Sequence, residues 1–312
     1  MTRPKIIVIT GPTATGKSAL GVKLAGKIDG EIVSADSMQV YKYMDIGTAK
    51  PTLDEMQGIP HHLIDFIPPG EDYSVARYVE DATKCVDDII KRSKKPILVG
   101  GSGQYIDSLI AGHTFSARGD EKLRKTLEAE FDTIGGDAML AKLSEVDAES
   151  AAKLHANDKK RIVRAFETFL TVGKPISQHN FESKTLPPQY DAVKIALNFP
   201  DRDALYDRID RRVDDMISKG LRSEVQALLD MGVRQSSTSM QAIGYKEISD
   251  AIINSTDIDI VADKIKMESR RYAKRQLTWL RRDKNVKWLN RDVASSFDRC
   301  FEELIDFLHG VT

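Results

Sequence analysis

The chain reads as an α/β protein, a P-loop-type parallel sheet core flanked by helices and interrupted by a helical insertion domain. Three observations predict this. Short β-branched runs with no polar interruption alternate with helix-period segments, the pattern of parallel strands buried on both faces. The first such run ends in a glycine-rich turn that opens a helix. From about Ser116 to Tyr190 the sequence turns charged and helical, and a buried-type strand then returns at Lys194 to Phe199.

The elements follow in order. Ile6 to Thr10 is an unbroken apolar and β-branched run and predicts a buried strand. Gly11 to Ser18 is the turn, and Ala19 to Ile28 has helical composition. Glu31 to Ser34 predicts a second strand, His62 to Phe66 a third, and Pro96 to Val99 another that closes on Gly100-Gly101. Between them, Val75, Val79, Ala82, Val86, Ile89 and Ile90 recur at helical spacing over Val75 to Arg92. A helix is expected from Gly103 to Ile110, and further helices over Asp201–Lys219, Ser223–Met231, Ala242–Ile253 and about Asp259–Arg282. The division is therefore residues 1–115 as the first part of the core, 116–190 as the insertion, and 191–312 as core completion with basic C-terminal helices.

With 312 residues, 41% hydrophobic and 30% charged, the chain has the make-up of a folded globular protein. A net charge of −1 confines any nucleic-acid surface to a local patch. Cys85 and Cys300 form neither a disulfide framework nor a metal-ligand spacing. No apolar run is long enough for a signal peptide or a membrane span, so a cytoplasmic protein is expected, acting as a monomer and without a membrane partner.

Gly11-Pro12-Thr13-Ala14-Thr15-Gly16-Lys17-Ser18 fits G-x-x-x-x-G-K-[ST] in the strand-to-helix context that motif needs, and by motif it is a nucleotide-binding, ATP-binding signature. Its glycines let backbone N–H groups converge on phosphate oxygens, Lys17 adds a charge, and the Ser18 hydroxyl is a ligand for Mg²⁺. The strand Ile97 to Val99 ends in Gly100-Gly101-Ser102-Gly103, with no carboxylate to complete a hydrolytic Mg²⁺ site. That weakens an ATPase reading and leaves a cradle for some other diphosphate. Asp36 follows the second strand at the expected binding edge of the sheet. A carboxylate there serves as general base, as a metal holder, or simply as a turn or helix-capping residue.

Asp36-Ser37-Met38-Gln39-Val40-Tyr41, followed by Met44-Asp45-Ile46-Gly47-Thr48-Ala49-Lys50-Pro51, resembles the signature of tRNA dimethylallyltransferases, the tRNA isopentenyltransferase family. The resemblance continues through His61 to Asp65, Tyr73 to Ala76, Gly100 to Tyr105, His155 to Arg161, Leu205 to Val213, Gln241 to Lys246 and Ala273 to Arg282. These blocks span nearly the whole chain in family order. The resemblance implies transfer of a dimethylallyl group from dimethylallyl diphosphate to the exocyclic amine of the adenosine immediately 3′ of the anticodon, with tRNA gripped at its anticodon stem-loop. It implies that Thr13 to Ser18 hold the diphosphate, that Asp36 is the general base, and that Arg208 helps neutralise the diphosphate beside Lys17. Implied tRNA contacts fall on Asp36, Ser37, Met38, Gln39, Ser102, Arg124, Lys160, Arg161, Arg164, and on Gln241, Gly244, Tyr245 and Lys246. Ser102 and Thr15 exchange one hydroxyl residue for another relative to many members, and Ala156 stands where a proline is usual.

Two basic clusters suit an RNA partner. Arg271, Lys274 and Arg275 share one face of the last long helix, and Lys159, Lys160, Arg161 and Arg164 cluster in the insertion. Tyr272 and Trp279 interleave with the first cluster, where aromatics stack on bases in loop recognition, but large aromatics on a helix read first as core. Arg208 and Arg212 share a helix face among Asp207, Asp210, Asp214 and Asp215, which by spacing alone predicts surface ion pairs. His61 and His62 are adjacent, so they face apart and read as structural. A small-metabolite kinase would use the cradle and Asp36 but leaves the insertion and the basic helix unexplained. A GTPase-like RNA-binding module would carry an Asn-Lys-x-Asp block, which the sequence lacks. A prenyltransferase acting on free adenine nucleotides would need neither basic cluster.

Overall fold

The computed structural model describes residues 3–113, 120–185, 187–291 and 297–311. They divide into two compact units, 1–110 with 190–312, and 111–189. The sheet of the first unit has six strands: β1 (Lys5–Thr10), β2 (Gly30–Ser34), β3 (His61–His62), β4 (Lys95–Val99), β5 (Asp191–Asn198) and β6 (Lys287–Asn290). All neighbours pair in parallel, in the order β3-β2-β4-β1-β5-β6. β1, with neighbours on both sides, carries the Ile-Ile-Val-Ile run expected for a central strand.

Helices cover both faces, as parallel crossovers require. They are α1 (Lys17–Ile28), α2 (Leu53–Met56), α3 (Val75–Lys91), α4 (Gly103–Ala111), and, beyond the second unit's α5 (Glu121–Ile134), α6 (Gly136–Val146), α7 (Ala148–Ala151), α8 (Lys159–Val172) and α9 (Ile176–Thr185), α10 (Arg202–Ser218), α11 (Leu221–Asp230), α12 (Tyr245–Asn254), α13 (Ile258–Leu280) and α14 (Phe297–Val311). Leu20, Leu24 and Ala25 of α1 and Leu304 and Leu308 of α14 pack on Ile9, Ile32, Ile97, Ile195 and Leu289 of the sheet. Each fully buried Leu or Ile there contributes about 1.5–3 kcal/mol of transfer free energy. The glycines after β4 are demanded by close approach: a Cβ on Gly100 would lie 2.1 Å from the Ala35 carbonyl oxygen, which brings the ends of β2 and β4 together.

Three expectations change. Only His61–His62 of the third strand pairs, because Leu63 and Asp65 take left-handed φ values of 60° and 57° that end an extended run. The helix expected from Ala242 begins at Tyr245, after a 3₁₀ turn at Ser239–Gln241 and a Gly244 with φ 95°. β6 and α14 are not among the elements read from the sequence. β6 is only four residues long, and α14 is set apart from it by a segment outside the described residues.

In the second unit, α6 to α9 close around Leu143, Ala151 and Ala165, with Leu140, Phe166 and Ile176 against them. The Gly135-Gly136 pair is a true break: Gly135 has φ 84°, and a Cβ on Gly136 would lie 2.0 Å from the Ala156 carbonyl oxygen. The start expected for the insertion, at 116, lies outside the described residues.

Candidate active site

The cradle stands between β1 and α1. Gly11 and Gly16 have φ 137° and 90°, and Ala14 is left-handed at 63°, so the turn curls its backbone inward at the N-terminus of α1. The Thr15 hydroxyl and the Lys17 ammonium both donate to the Pro12 carbonyl, each at 2.8 Å. Burial, and after it the charge of Arg212, lower the Lys17 pKa to about 7 against the opposing pull of Asp36. Two side chains that sequence reasoning did not assign to the cradle brace it. Gln276, buried on α13, accepts from the Thr13 N–H at 2.9 Å and donates to the Gly101 carbonyl at 3.0 Å, tying the cradle to the turn after β4. Arg291 donates to the Thr15 carbonyl at 3.0 Å, and no local motif announces it. The Thr13 N–H is thus engaged with protein in this structure, not turned to the cradle's interior.

Asp36 combines the readings that sequence left open. Its Oδ1 accepts from the N–H groups of Met38 at 2.9 Å and Gln39 at 3.3 Å, an Asx-type turn. Its Oδ2 accepts no hydrogen bond among the described residues, and the residue lines two adjoining spaces. One is a cavity of about 90 Å³ shared with Lys17, Ser18 and Gln276. The other is a chamber of about 310 Å³ walled by Met38, Ile209, Val213, Met216 and Ile265. A basin of about 830 Å³ on the far side of Lys17 and Ser18 is lined by Arg208, Arg211 and Arg212. Arg212 lines all three spaces, and Thr13, Asp36 and Tyr272 line both the cavity and the chamber.

The ion pairs expected around Arg208 and Arg212 do not form. Asp210 is taken by Arg270, both oxygens at 2.6 Å, and Asp214 by Lys266. Arg208 instead donates Nε to the Ala14 carbonyl at 2.9 Å, and its guanidinium lies 5.2 Å from the Phe199 ring centroid. Arg212 makes no ion pair among the described residues. Burial lowers its pKa, and Asp36 and Glu55 raise it. The helix-face spacing was visible in sequence, but the partner was not: α10 turns this face to the cradle.

Tyr272 is likewise corrected, from core to site. It lines the chamber with Asp36, and burial together with that carboxylate pushes its phenol up to about 12. Trp279 is core, as read: Gly103 packs on its ring and its indole N–H donates to Asp107 at 3.1 Å. Ser102 accepts from the Ser37 N–H at 3.0 Å and so holds the Asp36 turn. Gln39 donates to the carbonyls of Thr48 and Ala49, each at 3.2 Å. Glu224, absent from the sequence reading, accepts from the N–H groups of Asp45, Ile46 and Gly47 and from the Tyr245 hydroxyl. Tyr245 and Gly244 are buried, so Tyr245 clamps this loop and offers no surface to RNA; Gln241 and Lys246 are exposed. On α13, Arg271, Lys274 and Arg275 are exposed; Arg271 pairs with Glu268, while Arg275 borders the chamber. In the second unit Lys160 and Arg161 are exposed, whereas Arg124 and Arg164 both donate to the fully buried Glu167 at 2.9 Å.

A parallel sheet with a phosphate cradle after β1 and a carboxylate after β2 defines a P-loop-type α/β protein with a group-transfer site. The family model described as IPP transferase matches residues 39–283. A tRNA dimethylallyltransferase of Caldanaerobacter subterraneus subsp. tengcongensis is 46% identical over 308 residues, 98% of each chain. One of Carboxydothermus hydrogenoformans is 47% identical over 302 residues, 96% of each. Among solved structures, the full-length tRNA isopentenylpyrophosphate transferase of Bacillus halodurans matches with TM-score 0.74 and 42% identity, over 99% of this chain and 96% of that one. A eukaryotic dimethylallyltransferase acting on tRNA matches with TM-score 0.84 and 29% identity, over 98% of this chain and 80% of that one. The chain belongs to the IPP transferase family.

Proposed function

We propose that this chain transfers a dimethylallyl group from dimethylallyl diphosphate to the exocyclic amine of the adenosine immediately 3′ of the anticodon in tRNAs, releasing pyrophosphate. The observation that carries the reading is the position of Asp36: one carboxylate borders both the cavity of the phosphate cradle and an apolar chamber. The diphosphate lies against Lys17, Arg208 and the N-terminus of α1, and the allylic carbon faces the chamber. The target adenosine leaves the anticodon-loop stack to enter it, as enzymes acting on a base require. Its amine attacks the allylic carbon, the carbon–oxygen bond breaks, and Asp36 Oδ2 takes the proton. Lys17, Arg208 and Arg212 oppose the charge that builds on the leaving pyrophosphate.

Ser18 stands at the head of α1 beside Lys17 and lines the cradle cavity, its hydroxyl an oxygen donor of the kind Mg²⁺ prefers. Mg²⁺ held by Ser18 would supply positive charge to the diphosphate oxygens. No helix among the described residues is long and apolar enough to cross a membrane. The enzyme works in the cytoplasm as a monomer. The test is incubation of unmodified tRNA with labelled dimethylallyl diphosphate and Mg²⁺, with and without ATP, followed by mapping of the labelled nucleotide. Label is expected at the adenosine 3′ of the anticodon without ATP. A strict ATP requirement, with ADP formed in step with product, would restore a kinase-like reading.

The second unit and the exposed face of α13 hold the tRNA backbone. The structure changes which residues test this. Arg164 and Arg124 serve buried Glu167, so their loss mixes folding with binding. Lys160→Ala with Arg161→Ala is the cleaner pair. It is expected to weaken tRNA binding and to flatten the slope of log affinity against log salt by about one unit per lost phosphate contact. Equal affinity and equal slope in filter binding would count against the arm.

A further inference from the structure

The proton that Asp36 takes must leave before the next turnover, and one wall of its cavity is built from groups the mechanism has not used. Ile32 of β2 pairs with His61 of β3, and paired residues on neighbouring parallel strands point to the same face. Ser34, two residues after Ile32, shares that face. His62 falls on the opposite face and pairs there with Glu31, together with Arg92. Ser34 and His61 accordingly line the 90 Å³ cavity with Asp36, a space with room for more than one water. The Ser34 hydroxyl is fully buried and has no hydrogen-bond partner among the described residues, which is costly for a polar group unless water or substrate chemistry engages it. His61 is partly exposed on the edge strand, so it also reaches solvent. Its Nδ1 lies 2.8 Å from the Ile59 carbonyl oxygen; a carbonyl only accepts, so Nδ1 carries the proton and Nε2 keeps a lone pair. Burial holds the imidazole below its ordinary pKa, with the Ile59 contact opposing, so the ring is neutral at physiological pH.

We propose that Ser34 and His61 form a proton exit behind Asp36, carrying the adenosine proton through cavity water to the edge of the sheet. The proposal rests on the reading of Asp36 as the base. The balance is direct. The amine nitrogen gains a bond to the allylic carbon, the carbon–oxygen electron pair leaves with pyrophosphate, and the amine proton moves to Asp36. The protonated carboxyl passes it through water to the Ser34 oxygen, whose own hydroxyl proton moves on through water to His61 Nε2, and the imidazolium releases it to solvent. The net transfer from the carboxylic acid to the imidazole is favourable in sign, since a carboxylic acid is a stronger acid than an imidazolium. The opposite way out adds Arg208 and Arg211 to the Lys17 and Arg212 that line both spaces, and these further charges repel a moving proton.

The test compares Ser34→Ala, His61→Ala, His61→Gln and Asp36→Asn in steady-state transfer, with Mg²⁺ titrated and imidazole added. Ser34→Ala and both His61 variants are expected to lose about tenfold in kcat, less than the about 10²–10⁴ of the base itself, at unchanged KM for either substrate. Added imidazole is expected to restore His61→Ala and not His61→Gln, which a purely structural role would not produce. Unchanged kcat, a loss in His61→Ala that imidazole fails to restore, or a Ser34→Ala loss reversed by more Mg²⁺ would each overturn the exit. The last outcome would assign the hydroxyl to the metal's hydration shell. Wild-type turnover by Asp36→Asn would instead remove the base reading on which the exit rests.

Discussion

Replacing Asp36 by Asn is expected to lower kcat by about 10²–10⁴-fold, the usual contribution of a positioned general base. The amide keeps the carbonyl oxygen that accepts from Met38 and Gln39, so the turn that presents the residue should persist. What is lost is the second oxygen's ability to take a proton. The tRNA dissociation constant should stay near wild type, because one carboxylate oxygen contributes little beside the backbone contacts that dominate affinity. Single-turnover transfer and filter binding separate the two quantities. A large fall in binding with little loss in rate would make Asp36 an RNA contact and return the base to another residue.

Lys17→Met should cost about 10²–10³-fold in kcat, as for loss of one preorganised charge partner at a developing anion. The same residue sets a pH dependence whose sign follows from its burial. With the free-site pKa at about 7, Lys17 is charged below that pH and increasingly neutral above it. Pyrophosphate binds the charged form and raises its pKa, so binding takes up a proton above pH 7. Affinity from this source is therefore full below about 7 and falls as pH rises through it. Calorimetry in buffers of different ionisation enthalpy reads the proton uptake directly. Lys17→Arg, which stays charged throughout, should show no uptake at this site; identical uptake in both proteins would place the titrating group elsewhere.

Local chemistry made much of this protein legible before any coordinates. The cradle is contiguous, and its glycines, Lys17 and Ser18 carry their own reason for being there. The strand-forming runs at β1, β2, β4 and β5 are apolar because both faces of a central parallel strand are covered, so composition alone marks them. The family blocks added Asp36, which its position left undecided between site and turn, and Arg208, which spacing alone read as a surface ion-pair residue.

Long-range placement was not legible. Gln276 reaches the Thr13 N–H across 263 residues of sequence, and Arg291 reaches Thr15 across 276. Gln276 lies in a family block that does not say what it touches, and Arg291 has no local pattern to announce it. Tyr272 and Trp279 lie on one helix seven residues apart, yet only Tyr272 faces the chamber, because Gly103 and Asp107 claim the Trp279 ring. Sequence by itself determined the P-loop sheet, the phosphate cradle and the family, since those depend on residues adjacent along the chain or in fixed order. Which cations face the cradle, which carboxylates they leave unpaired, and what lies behind Asp36 were decided only when helices docked on the sheet, because burial and pairing are properties of three-dimensional neighbours and not of spacing.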